Sequence, residues 1–231
     1  QWVALAAAGL VFFVPAFFML PLPGEKEVEM AREGEMLVKV DPPSNTWLWF
    51  LSIAYFCAGF SNTLNVTFTS LMAELQPLIG LGARIWEVVG ISAVIAPIFW
   101  DRVARAIGSL DALRAAFILN ILGNLILASQ LSIYTTVIAA ILFGVTFIGI
   151  VSLTLSTVGR LYGTRGTQVM AQLTLGYCVA QILSPILFGS LASLTGNFAV
   201  PLFVVSGLML IGLIALVALK VSQPAPVAPT G

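Results

Sequence analysis

The sequence predicts an all-α fold, a polytopic membrane bundle of seven transmembrane helices. Hydrophobic residues make up 59% of the chain, charged residues only 9%, and the mean hydropathy is +1.05. A soluble domain carries about 25% charged residues, so this composition does not fit a water-soluble core. Seven apolar stretches are long enough to cross a bilayer, and the cations gather at alternate connections between them.

The apolar stretches set the expected helix count. A helix crosses the roughly 30 Å hydrocarbon layer with about 20 apolar residues, and its backbone groups then pair within the segment. The stretches that reach this length are 1–21, 47–72, 79–100, 112–131, 133–156, 168–192 and 198–220. Turn-forming residues separate several of them, at Gln76-Pro77, Ser129-Gln130 and Thr195-Gly196-Asn197.

The cations predict the orientation of these spans. Nine of the ten Lys and Arg residues lie at the odd-numbered connections or at the final exit: Lys26, Arg32, Lys39, Arg102, Arg105, Arg114, Arg160, Arg165 and Lys220. The even-numbered connections hold none, and Arg84 falls just inside the third span. Because loops rich in Lys and Arg stay in the cytoplasm, we expect the odd connections and the carboxyl terminus on that side.

The first connection differs in composition from the rest of the chain. Residues 22–46 hold 9 of the 20 charged residues: Glu25, Lys26, Glu27, Glu29, Arg32, Glu33, Glu35, Lys39 and Asp41. We interpret this segment as a cytoplasmic linker between one membrane helix, 1–21, and a six-helix bundle, 47–220. It is either a solvated spacer or a regulatory docking site. Since the chain begins with Gln1, we read it as a fragment, and the Pro- and Ala-rich tail 221–231 is predicted to be disordered.

The composition also excludes several classes of chemistry. The chain has no His, which removes imidazole proton relays and most zinc sites, and we expect neither a metal nor a cofactor. Cys57 and Cys178 stand alone in apolar runs, so we expect two buried free thiols. A net charge of zero gives no indication of nucleic-acid binding.

Arg84 and Glu87 are the only charged residues that the sequence places at membrane depth, since Arg114 and Lys220 lie at the ends of their spans. Placing such a group at the bilayer centre costs about 2.5 to 3.5 kcal/mol, so those that occur there usually serve function. If the third helix starts near residue 79, Glu87 lies about 12 Å along it, and the i,i+3 spacing lets the two residues pair. The carboxylate would then carry a proton, contact substrate or form a latch. If the helix starts later, they form an interfacial pair instead.

The six helices after the linker divide into three plus three, as in the halves of major facilitator transporters. The run APIFWDRVARAIG, Ala96 to Gly108, resembles the cytoplasmic loop signature of that superfamily, with Asp101, Arg102 and Arg105 on its charged positions. Pro97 and Ala104 replace its glycines, and Ala106 replaces its second basic residue. The resemblance implies a gating contact. The same residues could equally be loop charges that only set topology.

A second run, GYCVAQILSPILFG, is similar to a Gly- and Pro-containing helix of the superfamily. Gly176, Ala180 and Ser184 share one helical face, where another backbone could approach, and Pro185 would permit a bend before Gly189. Ordinary helix packing explains this pattern equally well. Within the superfamily, the run WEVVGISAVIAPIFWDRVARAIG is most similar to the YbfB-like branch.

The resemblance implies a secondary transporter of a bacterial inner membrane that works by alternating access. Its expected partners are the lipid bilayer, an amino-terminal half of the same protein, and a small, mostly neutral or amphipathic solute. Glu87 is the candidate residue for coupling transport to protons. In this fold the second and sixth spans line the central path, which makes cavity candidates of Tyr55, Asn62, Asn65, Gln172, Tyr177 and Gln181. Asn120 and Asn124, four apart on the fourth span, are expected to form interhelical hydrogen bonds.

Other membrane classes fit less well. A retinal protein needs a Lys within its last helix, and here the nearest is Lys220 at the helix end. A membrane enzyme needs clustered nucleophiles, carboxylates or metal ligands at depth, so we expect no enzyme. A receptor or scaffold that transports nothing stays open, because helix layout alone does not establish function.

Overall fold

The computed structural model describes residues 43–74, 81–129 and 132–219. Six helices occupy these ranges, with a short 3-10 turn at Gly163–Arg165 and no strand among the described residues: α1 (Asn45–Glu74), α2 (Leu81–Ile107), α3 (Ser109–Ser129), α4 (Ile133–Tyr162), α5 (Gly166–Thr195) and α6 (Ala199–Ala218). They overlap six of the seven predicted spans. The predicted first span, the linker as far as residue 42, and the tail lie outside the described residues.

The described helices are of membrane type. Helices α3 to α6 are each long and apolar enough to cross a bilayer. The other two helices, α1 and α2, carry more polar and charged residues, including the buried Ser61 and Asn65 of α1. An integral membrane protein is therefore confirmed, while the total of seven spans remains a prediction.

Two central helices organise the packing. Helix α1 packs mainly on α5 and α6, helix α4 packs mainly on α2 and α3, and α3 also packs on α6. The largest side chains with almost no exposed surface, among them Trp100 and Phe117, lie in the seams between these helices. Many large apolar side chains of α2 and α5 point outward instead, as expected for helices that face lipid or another protein surface.

Glycines allow close approach at two helix crossings. A Cβ added to Gly59 on α1 would lie 2.5 Å from the carbonyl oxygen of Tyr177 on α5. A Cβ added to Gly144 on α4 would lie 2.5 Å from the carbonyl oxygen of Val89 on α2. Real Cβ atoms do not come so near a backbone oxygen, so these two crossings require glycine.

At each crossing, a side chain of the other helix donates a hydrogen bond to the backbone carbonyl oxygen of the residue that follows the glycine. Ser184 Oγ on α5 donates to the Phe60 carbonyl oxygen at 3.0 Å. Trp100 Nε1 on α2 donates to the Val145 carbonyl oxygen at 2.9 Å. The two crossings are thus built from the same elements, a glycine and a hydrogen bond to the next carbonyl.

The end of α2 differs from its predicted position. The apolar stretch ends near residue 100, but the helix continues to Ile107, and Gly108 with φ +91° separates it from α3. Asp101, Arg102 and Arg105 were expected in a loop and instead lie on the last two turns of α2. Hydropathy marks where a helix leaves the membrane. Good helix formers such as Ala and Arg continue it until a glycine stops it.

Candidate functional site

A buried polar cluster joins α1, α3 and α4. Its five members, all at most 4% exposed, are Ser61, Asn65, Asn120, Asn124 and Thr146. Ser61 Oγ donates to Asn120 Oδ1 at 2.7 Å, and Asn65 Nδ2 donates to Asn124 Oδ1 at 2.7 Å. Asn120 Nδ2 donates to Thr146 Oγ1 at 3.0 Å. The interhelical role predicted for Asn120 and Asn124 is confirmed.

Asn65 belongs to this cluster rather than to a cavity. It was expected to face an open path, but it is 2% exposed and also donates to the Ser61 carbonyl oxygen at 2.8 Å. Its neighbour Asn62 lies outside the hydrogen-bonded set. Asn65 therefore holds α1 against α3, a role that its position in the sequence did not reveal.

Two of the predicted cavity residues stack on each other. The rings of Tyr55 on α1 and Tyr177 on α5 have centroids 4.6 Å apart and an interplanar angle of 25°. Both side chains are buried. The other candidates on α5 lie apart from this stack, since Gln172 is exposed and Gln181 is half-buried on the surface of the bundle.

Asn62 faces a small crevice where α1, α3, α4 and α5 meet. The crevice has a volume of about 10 Å³ and is lined by Ala58, Asn62, Asn120, Phe143, Phe147, Ile150 and Tyr177. Asn62 is 8% exposed, and its buried Oδ1 has no hydrogen-bond partner in the described part of the chain. Asn62, Asn120 and Tyr177 are thus brought together, whereas Gln172 is not among the lining residues.

Arg84 and Glu87 lie near the start of α2, and both are exposed. Glu87 lies six positions after Leu81, the first residue of the helix, or about 9 Å along it at 1.5 Å per residue. The expected ion pair does not form, since neither residue has an ionic partner within the described ranges. Trp86 between them donates through Nε1 to Ser70 Oγ and so ties this end of α2 to α1.

The charged residues of the signature lie at the opposite end of α2. Arg105 and Asp101 form an ion pair at 2.9 Å with side chains 79% and 59% exposed. Arg102 reaches back to the Ile98 carbonyl oxygen at 3.4 Å. A cavity of about 330 Å³ beside them is lined by Pro97, Asp101, Ala104, Arg105, Ser152, Leu153, Ser156 and Arg160.

Only part of the small-residue face predicted on α5 packs against another described helix. Ala180 and Ser184 are fully buried against α1, but the glycine at that crossing is Gly59 on the other helix. A Cβ at Gly176 or Gly189 would meet no atom within 4 Å among the described residues, so neither glycine supports close packing there. Pro185 lies within α5 and is exposed.

Two further residues differ from what the sequence indicated. Arg114 on α3 donates through Nη2 to the Leu216 carbonyl oxygen at 2.8 Å. Its position in the sequence had indicated only a charge that sets topology. Cys178 is exposed on the bundle surface, contrary to expectation, whereas Cys57 is buried. No group of three possible metal ligands occurs among residues 43–74, 81–129 and 132–219.

The long apolar helices and glycine crossings define an integral membrane helical bundle. Comparison with protein families identifies it further: the family described as uncharacterised MFS-type transporter YbfB matches residues 1–217. The chain belongs to this family, which confirms the resemblance to major facilitator transporters and to the YbfB-like branch. No curated protein matches the chain.

Proposed function

We propose that the chain is the carboxyl-terminal half of a secondary active transporter, preceded by one helix and a cytoplasmic linker. It moves a small, mostly neutral or amphipathic solute by alternating access. The observation that carries this proposal is the equivalence of the α1–α5 and α4–α2 crossings, each built on a glycine against a carbonyl oxygen. Such equivalence is what two three-helix repeats within one transporter half would produce.

Several other features support two repeats. Exchanging α1 with α4, α2 with α5 and α3 with α6 preserves the order of packing partners. Pro97 and Pro185 lie inside the two matching helices α2 and α5, and positive-φ glycines, Gly108 and Gly196, end both. Three helices per repeat reverse the chain direction, so repeats of this kind are inverted with respect to the membrane.

The Asp101–Arg105 pair suits a switching contact. Exposed ion pairs contribute about 0.2 to 1 kcal/mol, so one can form in one state and break in another at little cost. Alternating access needs such contacts, which bias two conformations of similar free energy. In the competing hypothesis, these charges only set topology.

The proposed location is a bacterial inner membrane with the carboxyl terminus in the cytoplasm. Arg160 at the end of α4 donates to Ser109 at the start of α3. The carboxyl-terminal ends of α2, at Ile107, and of α4, at Tyr162, therefore lie on the same side of the bundle. Ile107→Cys should react with an impermeant thiol reagent from the cytoplasm, and Tyr134→Cys from the opposite side, both in a Cys178→Ser background. Labelling of both cysteines from one side would contradict this topology.

Transport itself is tested with the complete protein in proteoliposomes. The vesicles are incubated with a defined mixture of neutral metabolites under an inward proton gradient, and their contents are measured by mass spectrometry. We expect accumulation of at least one solute beyond protein-free vesicles, abolished when the gradient is collapsed. Equal contents in both vesicle types would favour the alternative, a receptor or scaffold without transport activity.

Proton coupling through Glu87 is the finer part of the proposal. It rests on an exposed carboxylate six positions after the start of α2, and the other charged residues at this end of the described chain are Arg84 on α2 and Glu74 at the end of α1. Glu87→Gln in the complete protein should remove the dependence of uptake on the proton gradient. Glu74→Gln is the matched control at the same end, and unchanged proton dependence in Glu87→Gln would reject the coupling role.

A further inference from the structure

Asn62 is the exception in a region where every other buried amide is hydrogen-bonded. Asn65, Asn120 and Asn124 all make side-chain hydrogen bonds across the helices. Asn62 is 8% exposed, yet its Oδ1 has no partner in the described part of the chain. Leaving a buried polar group unpaired is unfavourable, so a ligand that pairs with Asn62 Oδ1 would be stabilised by removing that cost.

The crevice beside Asn62 limits the size of what can pair with it. Its volume is about 10 Å³, close to the roughly 10–15 Å³ that one water-sized group requires. A single hydroxyl group fits this space, whereas a planar carboxylate or amide is larger. The rest of a solute would have to lie outside the crevice.

The lining of the crevice limits the charge of that group. Its seven lining residues are Ala58, Asn62, Asn120, Phe143, Phe147, Ile150 and Tyr177, none of them charged. An ammonium group would lack a counter-ion there, and burying an uncompensated charge is costly. The side-chain amide oxygen of Asn62, Oδ1, accepts hydrogen bonds, so its partner must be a donor. A neutral hydroxyl group satisfies both conditions.

We propose that Asn62 is a solute-binding residue whose amide accepts a hydrogen bond from a neutral hydroxyl group of the solute. Phe143, Phe147 and Tyr177 line the crevice and surround that hydroxyl group. This proposal rests on the proposed function and narrows it to neutral solutes that carry a hydroxyl group. A site built to bind a hydroxyl discriminates strongly against analogues without one, because its own polar group is then left unpaired.

The test uses two isomeric probes, 2-propanol and ethyl methyl ether. Both have the same atoms, but only the alcohol can donate a hydrogen bond. The complete protein is labelled with 15N-asparagine in detergent, and the Asn62 side-chain signal is assigned by its loss in Asn62→Leu and, independently, in Asn62→Ser. The fully bonded Asn124 amide is the internal control for general effects of either solvent.

We expect 2-propanol to shift the Asn62 signal in a saturable way, at least about threefold more than ethyl methyl ether, with little change at Asn124. Equal shifts with both isomers, or no shift with 2-propanol, would overturn the proposal. No shift is also the result expected if the crevice holds only a fixed water or if a residue outside the described ranges occupies it. The measurement needs no transport, so its failure and a failure of transport are distinguishable.

Discussion

Gly59 on α1 and Gly144 on α4 make equivalent contacts with the helices that cross them. A Cβ at either position would lie 2.5 Å from a backbone carbonyl oxygen, that of Tyr177 for Gly59 and that of Val89 for Gly144. A backbone atom cannot turn away as the end of a flexible side chain can. Both crossings therefore depend on the absence of a side chain.

Gly59→Ala and Gly144→Ala should each lower the free energy of unfolding by about 1 to 3 kcal/mol, since the added methyl group overpacks a tight seam. Gly207→Ala on α6 is the matched control, because a Cβ there meets no atom within 4 Å of the described structure. Thermal unfolding in detergent measures all three. Equal melting temperatures for the three variants would mean that the crossings tolerate a side chain.

Asn124→Leu should destabilise the protein, whereas Asn62→Leu should not. Asn124 accepts a hydrogen bond from Asn65 at 2.7 Å and donates to Ser61 at 3.1 Å, and Asn124→Leu removes both of these bonds. Interhelical hydrogen bonds in membrane proteins contribute about 0.6 to 1.7 kcal/mol. Asn62→Leu removes only an unpaired amide. Unfolding in a sodium dodecyl sulfate titration compares them, and an equal loss in both would mean that Asn62 has a structural partner.

Arg114→Leu should loosen the last turn of α6. The guanidinium donates to the Leu216 carbonyl oxygen through Nε at 3.1 Å and through Nη2 at 2.8 Å, and its charge lies at the negative end of that helix. A partly buried cation at a helix carboxyl terminus contributes up to about 2 kcal/mol. Hydrogen exchange of the α6 amides should become faster near Leu216.

Asp111→Asn is the control for Arg114, because it removes the exposed carboxylate of the same ion pair and leaves the contact to Leu216 in place. Its effect on α6 exchange should be small, as for most exposed ion pairs. If Asp111→Asn accelerates exchange as much as Arg114→Leu, the ion pair rather than the carbonyl contact stabilises the helix end.

Asp101→Asn distinguishes a gating role of the Asp101–Arg105 pair from a role in setting topology alone. The Asp101–Arg105 pair is exposed, so its loss should change the free energy of unfolding by less than about 1 kcal/mol. If the pair biases one conformation of the transport cycle, the uptake rate of the complete protein should nevertheless change severalfold. Asp111→Asn removes another exposed, ion-paired acid and should leave uptake unaltered; the same change in both variants would argue against a gating role.

Helix positions were predictable from sequence because a membrane span must be long and apolar. The i,i+4 spacing of Asn120 and Asn124 likewise gave their shared face and their role. The end of α2 was not predictable from hydropathy, which reports the membrane boundary, whereas the helix ends only at Gly108.

The details of the site depended on contacts between distant parts of the chain. Helices that are apolar on most faces give little periodic signal, so nothing local distinguished Asn65, in its hydrogen-bonded cluster, from the unpaired Asn62 three positions before it. The contact of Arg114 with Leu216 spans more than a hundred residues of sequence. Glycines within apolar stretches are visible in the sequence. Only the packed helices show that Gly59 and Gly144 are the ones that face a backbone carbonyl.

Trp100 is an intrinsic fluorescence probe of the contact between α2 and α4. Its indole is 1% exposed, donates to the Val145 carbonyl oxygen at 2.9 Å and covers Gly149. Indole fluorescence shifts to longer wavelength when water reaches the ring. In a protein whose other tryptophans are replaced by phenylalanine, the emission colour would therefore reveal whether these two helices stay together while the rest of the molecule moves.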